Sequence, residues 1–129
     1  MIFRKNKGYK ALIVEDDALL SGVLTKTFAE NGFKVIGVEN GLDVLDIAKK
    51  QKPDIILLDL IIPGLDGFGV LKQLKNDKDT KDIPVVVISN LDGEADVKSA
   101  KVLGADEYFI KANTKLKKIL KFAQYKVVK

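Results

Sequence analysis

Acidic residues follow two of the short apolar runs in this sequence. Glu15, Asp16 and Asp17 come directly after one run, and Asp59 ends another. Carboxylates that folding brings to about 4 Å of one another repel by about 4 kcal/mol per pair at an effective dielectric constant near 20. A divalent cation removes that repulsion, and carboxylates with a carbonyl and waters form the oxygen site that Mg²⁺ prefers. The acids therefore predict a magnesium site, provided that the fold gathers them.

Three further polar residues follow later apolar runs. Ser89 and Asn90 end the run that starts at Pro84, and Lys111 ends the run that starts at Glu107. Taken singly, each has an ordinary explanation as a helix cap, a turn residue or a surface lysine. Their joint placement after consecutive runs favours a shared pocket, in which Lys111 adds positive charge beside the acids.

The composition narrows the chemistry that such a pocket can perform. The 129 residues include no cysteine and no histidine. This excludes disulfides, a thiol nucleophile, Cys/His zinc sites and histidine acid–base catalysis. Carboxylates, lysines, hydroxyls and backbone groups remain, and they suit hard cations. The length and the 47% apolar content fit one compact domain.

Lysines are concentrated at the two ends of the chain, which has a formal charge of +4. We interpret them mainly as solvated ends, and expect neither direct nucleic-acid binding nor membrane contact. No run approaches the roughly 18 apolar residues of a membrane span, and the basic start lacks the apolar stretch of a secretory signal. We therefore expect a cytoplasmic protein, with a loosely attached basic segment at 1–8 and one domain at 9–129.

The sequence alternates apolar runs with amphipathic stretches. Continuous runs rich in Val and Ile are typical of strands buried on both faces of a parallel sheet. They span residues 11–14, 33–37, 54–59, 84–89 and 107–111. Apolar residues at helical spacing predict helices between and after them, near 20–28, 44–48, 68–74, 94–103 and 116–127.

This alternation predicts an α/β fold with a doubly wound parallel sheet built from right-handed βαβ units. Such sheets place their sites at the carboxyl ends of the strands, near the point where the strand order reverses. The polar residues that follow the apolar runs are thus expected to meet at one edge of the sheet.

Four stretches of the sequence together resemble bacterial response-regulator receiver domains, the phosphorylated switches of two-component signalling. They are residues 12–17, 53–67, 83–89 and 104–111, and the similarity extends over about 9–127. The stretch 53–67, with its spacing of Asp, Pro and Asp-Gly, is the most specific of them. The resemblance implies a five-stranded (βα)5 flavodoxin-like fold with strand order 2-1-3-4-5.

The resemblance also implies a role for each site residue. Asp59 looks like the phosphoacceptor, supplied by the phosphohistidine of a partner histidine kinase or phosphotransfer protein. Asp16 resembles the direct ligand of Mg²⁺, Glu15 acts mainly through metal-bound water, and the carbonyl of Ile61 completes the protein ligands with Asp59. Such a domain is not a conventional enzyme, because it phosphorylates itself from a donor and slowly dephosphorylates.

Four other residues resemble the parts that transmit the signal. Ser89 looks like the switch hydroxyl, Lys111 like the lysine that pairs with the phosphoryl group, and Asn90 like a backbone contact to it. Tyr108 looks like the aromatic switch residue, although it also fits an ordinary half-buried edge position. The implied effector surface is the face of the fourth helix, fifth strand and fifth helix. This surface would bind an effector protein, an output domain or a second copy.

Three positions depart from the usual pattern or carry apolar side chains at the mouth of the pocket. Ala112 stands where the family usually has proline, and we predict a trans bond before it because a cis bond would cost about 3 kcal/mol. Ile61 and Leu91 are apolar where polar residues often position the attacking water. These apolar side chains should slow hydrolysis of the phosphoaspartate and so predict a long-lived phosphorylated state. The alternative is that they only pack against neighbouring side chains and have no effect on hydrolysis.

Two alternatives stay open at this point. The chain could be a receiver-like interaction module that no longer uses phosphate. It could also be another enzyme of similar fold, such as a magnesium phosphatase or a flavin carrier. An aspartate phosphatase would place its nucleophile after the first strand with a second acid two residues on, which Glu15 and Asp17 fit poorly. No glycine-rich phosphate loop supports a nucleotide or flavin.

Overall fold

The computed structural model describes residues 2–128, and strands alternate with helices through most of that range. The strands are β1 (Tyr9–Val14), β2 (Phe33–Val38), β3 (Ile55–Leu58), β4 (Val85–Ser89) and β5 (Glu107–Ile110). The helices are α1 (Ala18–Glu30), α2 (Val44–Gln51), α3 (Gly67–Asn76), α4 (Glu94–Val102) and α5 (Leu116–Val127). Three short 3-10 turns lie at Lys5–Lys7, Gly41–Asp43 and Lys111–Asn113.

The five strands form one sheet in the order β2-β1-β3-β4-β5. Every neighbouring pair of strands is parallel. The predicted α/β class, the doubly wound sheet and the strand order implied by the resemblance are all confirmed. The strand order reverses between β1 and β3, so the carboxyl ends of these two central strands mark the expected position of a site.

The core consists of two apolar layers, one on each face of the sheet. Alternate residues of β1 divide between them: Leu12 and Val14 enter the first layer, and Ala11 and Ile13 enter the second. Side chains of α2, α3 and α4 complete the first layer, whereas those of α1 and α5 complete the second. Because both faces are covered, the continuous apolar runs of the central strands, residues 11–14, 55–58 and 85–88, are buried along their whole length, as predicted.

Aspartate side chains cap the first turns of α1 and α3, the helices that follow β1 and β3. The Asp17 side chain caps α1 by accepting hydrogen bonds from the amides of Leu19 and Leu20 at 3.0 and 3.2 Å. Asp66 caps α3 by accepting from the amide of Gly69 at 2.9 Å. Both caps satisfy amides that have no partner inside the helix. They thereby set the loops that carry the site acids.

Two side chains before β1, Phe3 and Lys7, contact the sheet at Tyr9. The ring of Phe3 stacks on Tyr9 with 4.9 Å between centroids and also meets Phe33 at 5.4 Å. The division of the chain into 1–8 and 9–129 stays a prediction, and its outermost residues, Met1 and Lys129, lie outside the described range. Among the residues that the structure describes, no helix has the length and apolar character needed to cross a membrane.

Candidate functional site

The carboxyl ends of β1 and β3 lie side by side at the point where the strand order reverses. The amide of Asp59 donates to the carbonyl of Val14 at 3.0 Å, which joins the last residue of β1 to the first residue after β3. Glu15 and Asp16 continue directly from β1. The topology therefore brings the two groups of predicted acids to the same place.

Three carboxylates converge there. One oxygen each from Glu15, Asp16 and Asp59 lies within 4.8 Å of the others. Glu15 and Asp59 are only 3% and 5% exposed, whereas Asp16 is exposed, so the cluster opens to solvent on the Asp16 side. A set of three oxygen donors with one open side fits a hard dication such as Mg²⁺, which keeps several waters.

Lys111 lies directly between the two buried acids. Its Nζ donates to Asp59 Oδ2 at 2.7 Å and lies 2.8 Å from Glu15 Oε1. The resemblance to receiver domains implied that this lysine pairs with a phosphoryl group. Its contact with Glu15 was not predicted from the sequence. The predicted trans bond between Lys111 and Ala112 is confirmed, since no cis peptide bond occurs within residues 2–128.

The second oxygen of each buried acid accepts a backbone hydrogen bond. Glu15 Oε2 accepts from the amide of Asp17, and Asp59 Oδ1 accepts from the amide of Ile61, both at 3.1 Å. These bonds, with those from Lys111, orient both carboxylates before any ligand arrives. Ile61 therefore lies at the pocket, while the predicted ligation by its carbonyl stays a prediction.

Burial and the ion pairs between Lys111 and the buried acids act in opposite directions on the pKa values of Glu15 and Lys111. Burial raises the pKa of Glu15, and Asp59 adds to that rise, while the bond with Lys111 and the amide of Asp17 limit it. Burial alone would lower the pKa of Lys111, but the Asp59 and Glu15 carboxylates outweigh it and raise that pKa. Lys111 is thus held as a cation, and the acids depend on it for compensation.

The loop after Asp59 is held by a close backbone approach at Gly67. The Gly67 amide donates to the carbonyl of Leu60 at 2.9 Å. A Cβ at residue 67 would lie 2.4 Å from Leu60 Cα and 2.6 Å from the Asp59 carbonyl oxygen. Only glycine fits this contact, so the start of α3 fixes the backbone on which Asp59 stands.

Ser89 is the last residue of β4, and Asn90 is the first residue of the loop that follows. Ser89 is fully buried, and its Oγ accepts a hydrogen bond from the amide of Leu91 at 3.3 Å. Asn90 is exposed, and its Oδ1 accepts from the amide of Ala112 at 3.1 Å. Sequence reasoning assigned Asn90 a backbone contact to the phosphoryl group and did not identify this contact of its side chain. The signal available was that Ala112, unlike the usual proline, has an amide to donate.

Tyr108 points into the protein rather than into solvent. It is 9% exposed, and its hydroxyl donates to the carbonyl of Leu91 at 2.6 Å. Burial raises the pKa of the Tyr108 phenol. The side chain therefore ties β5 to the loop after β4, and Leu91 is the partner that sequence reasoning did not identify.

Comparison with known proteins agrees with this geometry. The sequence profile of the response regulator receiver domain matches residues 11–123. Protein PilH of Pseudomonas aeruginosa is 37% identical over 102 residues, covering 79% of this chain and 84% of PilH. Sporulation initiation phosphotransferase F of Bacillus subtilis is 38% identical over 104 residues, covering 79% and 81% of the two chains.

Longer proteins and solved structures match as well. The chain spans only 39% to 43% of several probable transcriptional regulators that are 31% or 32% identical to it. The Mn²⁺-bound form of the response regulator Rcp1 superposes with a TM-score of 0.77 at 29% identity, covering 91% of this chain and 90% of that one. By its fold, its acid cluster and these similarities, the chain belongs to the response regulator receiver domains of two-component signalling.

Proposed function

We propose that Asp59 accepts a phosphoryl group from a phosphohistidine on a partner histidine kinase or phosphotransfer protein, in a reaction that depends on Mg²⁺. The observation that carries this proposal is the convergence of three carboxylate oxygens within 4.8 Å, with Lys111 bonded to the buried pair. The name of the Bacillus subtilis relative, a phosphotransferase, supports the same chemistry.

The carboxylates of Asp16 and Asp59 would bind the ion directly, Glu15 would act mainly through metal-bound water, and the carbonyl of Ile61 would complete the protein ligands. When bound, Mg²⁺ supplies positive charge against the oxygens of the phosphoryl group. A divalent cation is present in the related Rcp1 structure, which supports a dication site here. Glu15 and Asp16 bring the negative charge that makes the pocket selective for a dication.

Asp59 itself performs the covalent step. One of its carboxylate oxygens attacks phosphorus in line, a P–O bond forms, and the P–N bond to the donor imidazole breaks with its electron pair. Lys111, whose Nζ lies 2.7 Å from Asp59 Oδ2, would pair with the transferred oxygens. Water later attacks the acyl phosphate and releases inorganic phosphate, which restores the Asp59 carboxylate.

The new phosphoryl oxygens would then accept hydrogen bonds from the chain. The Ser89 hydroxyl, the Lys111 ammonium group and the backbone amide of Asn90 are the proposed donors. To donate there, the Ser89 side chain would turn away from the Leu91 amide, from which its oxygen now accepts a hydrogen bond. Because the Tyr108 hydroxyl bonds Leu91, such a shift reaches the α4–β5–α5 face, where we place the binding of an effector or a second copy.

The test is covalent labelling with acetyl phosphate, followed by intact mass. We expect a magnesium-dependent gain of one phosphoryl group that is absent in Asp59→Asn. Asp92→Asn is a matched control, because Asp92 is an exposed acid in the loop after β4. A folded protein that binds Mg²⁺ without gaining mass would refute the proposal and favour an interaction module that does not use phosphate.

The side chain at the pocket mouth should set the lifetime of the phosphorylated state. Ile61 is 59% exposed and offers water no hydrogen bond from its side chain. We expect Ile61→Asn to speed loss of the label roughly three- to tenfold, since one hydrogen bond to the attacking water is worth about 1 kcal/mol. Decay is followed by intact mass after the donor is removed. Val102→Asn, at an exposed site on α4, should leave the rate unchanged, and equal decay in all three proteins would contradict this role.

A further inference from the structure

The loop after β4 is joined to the turn after β5 by a hydrogen bond that lies beyond the end of the sheet. The ladder between these strands ends with the pair Ser89 and Ile110. Past that pair, the amide of Ala112 donates to Asn90 Oδ1 at 3.1 Å, across 22 residues of sequence. A side chain here continues the strand-to-strand connection that the backbone no longer makes.

This bond joins the immediate neighbours of two site residues. Asn90 follows Ser89, and Ala112 follows Lys111 in the 3-10 turn Lys111–Asn113. The first amides of a helical turn have no partner within the turn and need one from outside. Asn90 supplies that partner and so fixes the backbone from which the Lys111 side chain extends toward the buried acids.

We propose that the side chain of Asn90 is a positioning residue for Lys111. Through the Ala112 amide it holds the turn that keeps the ammonium group between Glu15 and Asp59. It also transmits to Lys111 any displacement of the loop that carries Ser89. The positional part of this inference stands on the contacts alone, whereas its effect on phosphorylation rests on the proposed function.

Amide hydrogen exchange tests the positional part. Asn90→Ala and Asn90→Leu remove the acceptor oxygen and keep the backbone amide of residue 90, whereas Asn90→Asp keeps an acceptor. A hydrogen bond of this kind shifts a local equilibrium by a factor of about 2 to 10. We expect exchange at the Ala112 amide to speed by that factor in the first two variants and to stay slow in Asn90→Asp. Unchanged exchange in Asn90→Ala and Asn90→Leu would overturn the inference.

The rate of labelling by acetyl phosphate tests the action through Lys111. We expect Asn90→Ala to slow labelling about 2- to 10-fold while Mg²⁺ affinity stays constant, because Asn90 contacts none of the three acids. In a Lys111→Met background the same substitution should have no further effect. An equal slowing in both backgrounds would overturn the inference. Failure of the wild-type protein to label at all would refute the proposed function, and the exchange experiment would still decide the role of Asn90.

Discussion

Lys111→Met should lower the free energy of unfolding by about 3 kcal/mol at neutral pH without divalent cations. The ammonium group lies within 2.8 Å of two nearly buried carboxylates, and methionine keeps the chain length but removes the charge. Glu15 and Asp59 would then be left as unpaired charges that repel each other. Denaturant unfolding followed by circular dichroism measures the loss.

Magnesium should reverse much of this loss. An ion that binds only the folded protein stabilises it by mass action, and here it would also replace the missing positive charge. The added stability in millimolar Mg²⁺ should therefore be larger for Lys111→Met than for the wild type. Lys118→Met, on the exposed side of α5, is the control and should stay within about 0.5 kcal/mol. Equal stability of both variants in the absence of metal would show that the acids do not need Lys111.

Asp16→Asn should weaken Mg²⁺ binding on the order of 100-fold, because it removes a full negative charge from the three-carboxylate cluster. Asp16 is the exposed member of that cluster, so its loss should cost the fold little. Calorimetric titration with Mg²⁺ measures the affinity. The labelling rate at submillimolar Mg²⁺ should fall in parallel and recover in part at high Mg²⁺.

The neighbouring acid provides a matched control for this variant. Asp17 caps α1 through its side-chain oxygen, and asparagine is an equally good cap. Asp17→Asn makes the same change of charge one residue away. It should leave the Mg²⁺ affinity and the labelling rate within about threefold of the wild-type values, because its Coulomb effect on the ion acts over a longer distance. If the two variants weakened Mg²⁺ binding equally, the ion would be responding to the general charge of the loop rather than to Asp16.

The fold was predictable because its strands are buried on both faces. Continuous apolar runs marked all five strands, although β1 begins at Tyr9, two residues before its run. The first two residues of β1, Tyr9 and Lys10, pair with Phe33 and Lys34 of β2. They were missed because two residues at the start of a strand are too few to show an alternation of apolar and polar side chains. The helix α4 ends at Val102, within one residue of its predicted end.

The acid cluster was predictable for a different reason. Residues that directly follow parallel strands lie at one edge of the sheet. The strand order implied by the resemblance sets β1 beside β3, which places Glu15, Asp16 and Asp59 together. The contact between Lys111 and Glu15 depends on how far a long side chain reaches across the pocket. The hydrogen bonds of the Asn90 side chain and the Tyr108 hydroxyl depend on how the loop after β4 lies against β5 and the turn that follows it. No local sequence pattern encodes that relative position.

The most direct test of the account is an experimental structure of the protein with Mg²⁺ and beryllofluoride. We expect the ion bound by the carboxylates of Asp16 and Asp59 with the carbonyl of Ile61. The beryllofluoride should lie on an oxygen of Asp59, in contact with Lys111 and Ser89. An ion bound elsewhere, or beryllofluoride absent from Asp59 while the ion is present, would contradict the assignment of this pocket as the phosphoryl-accepting site.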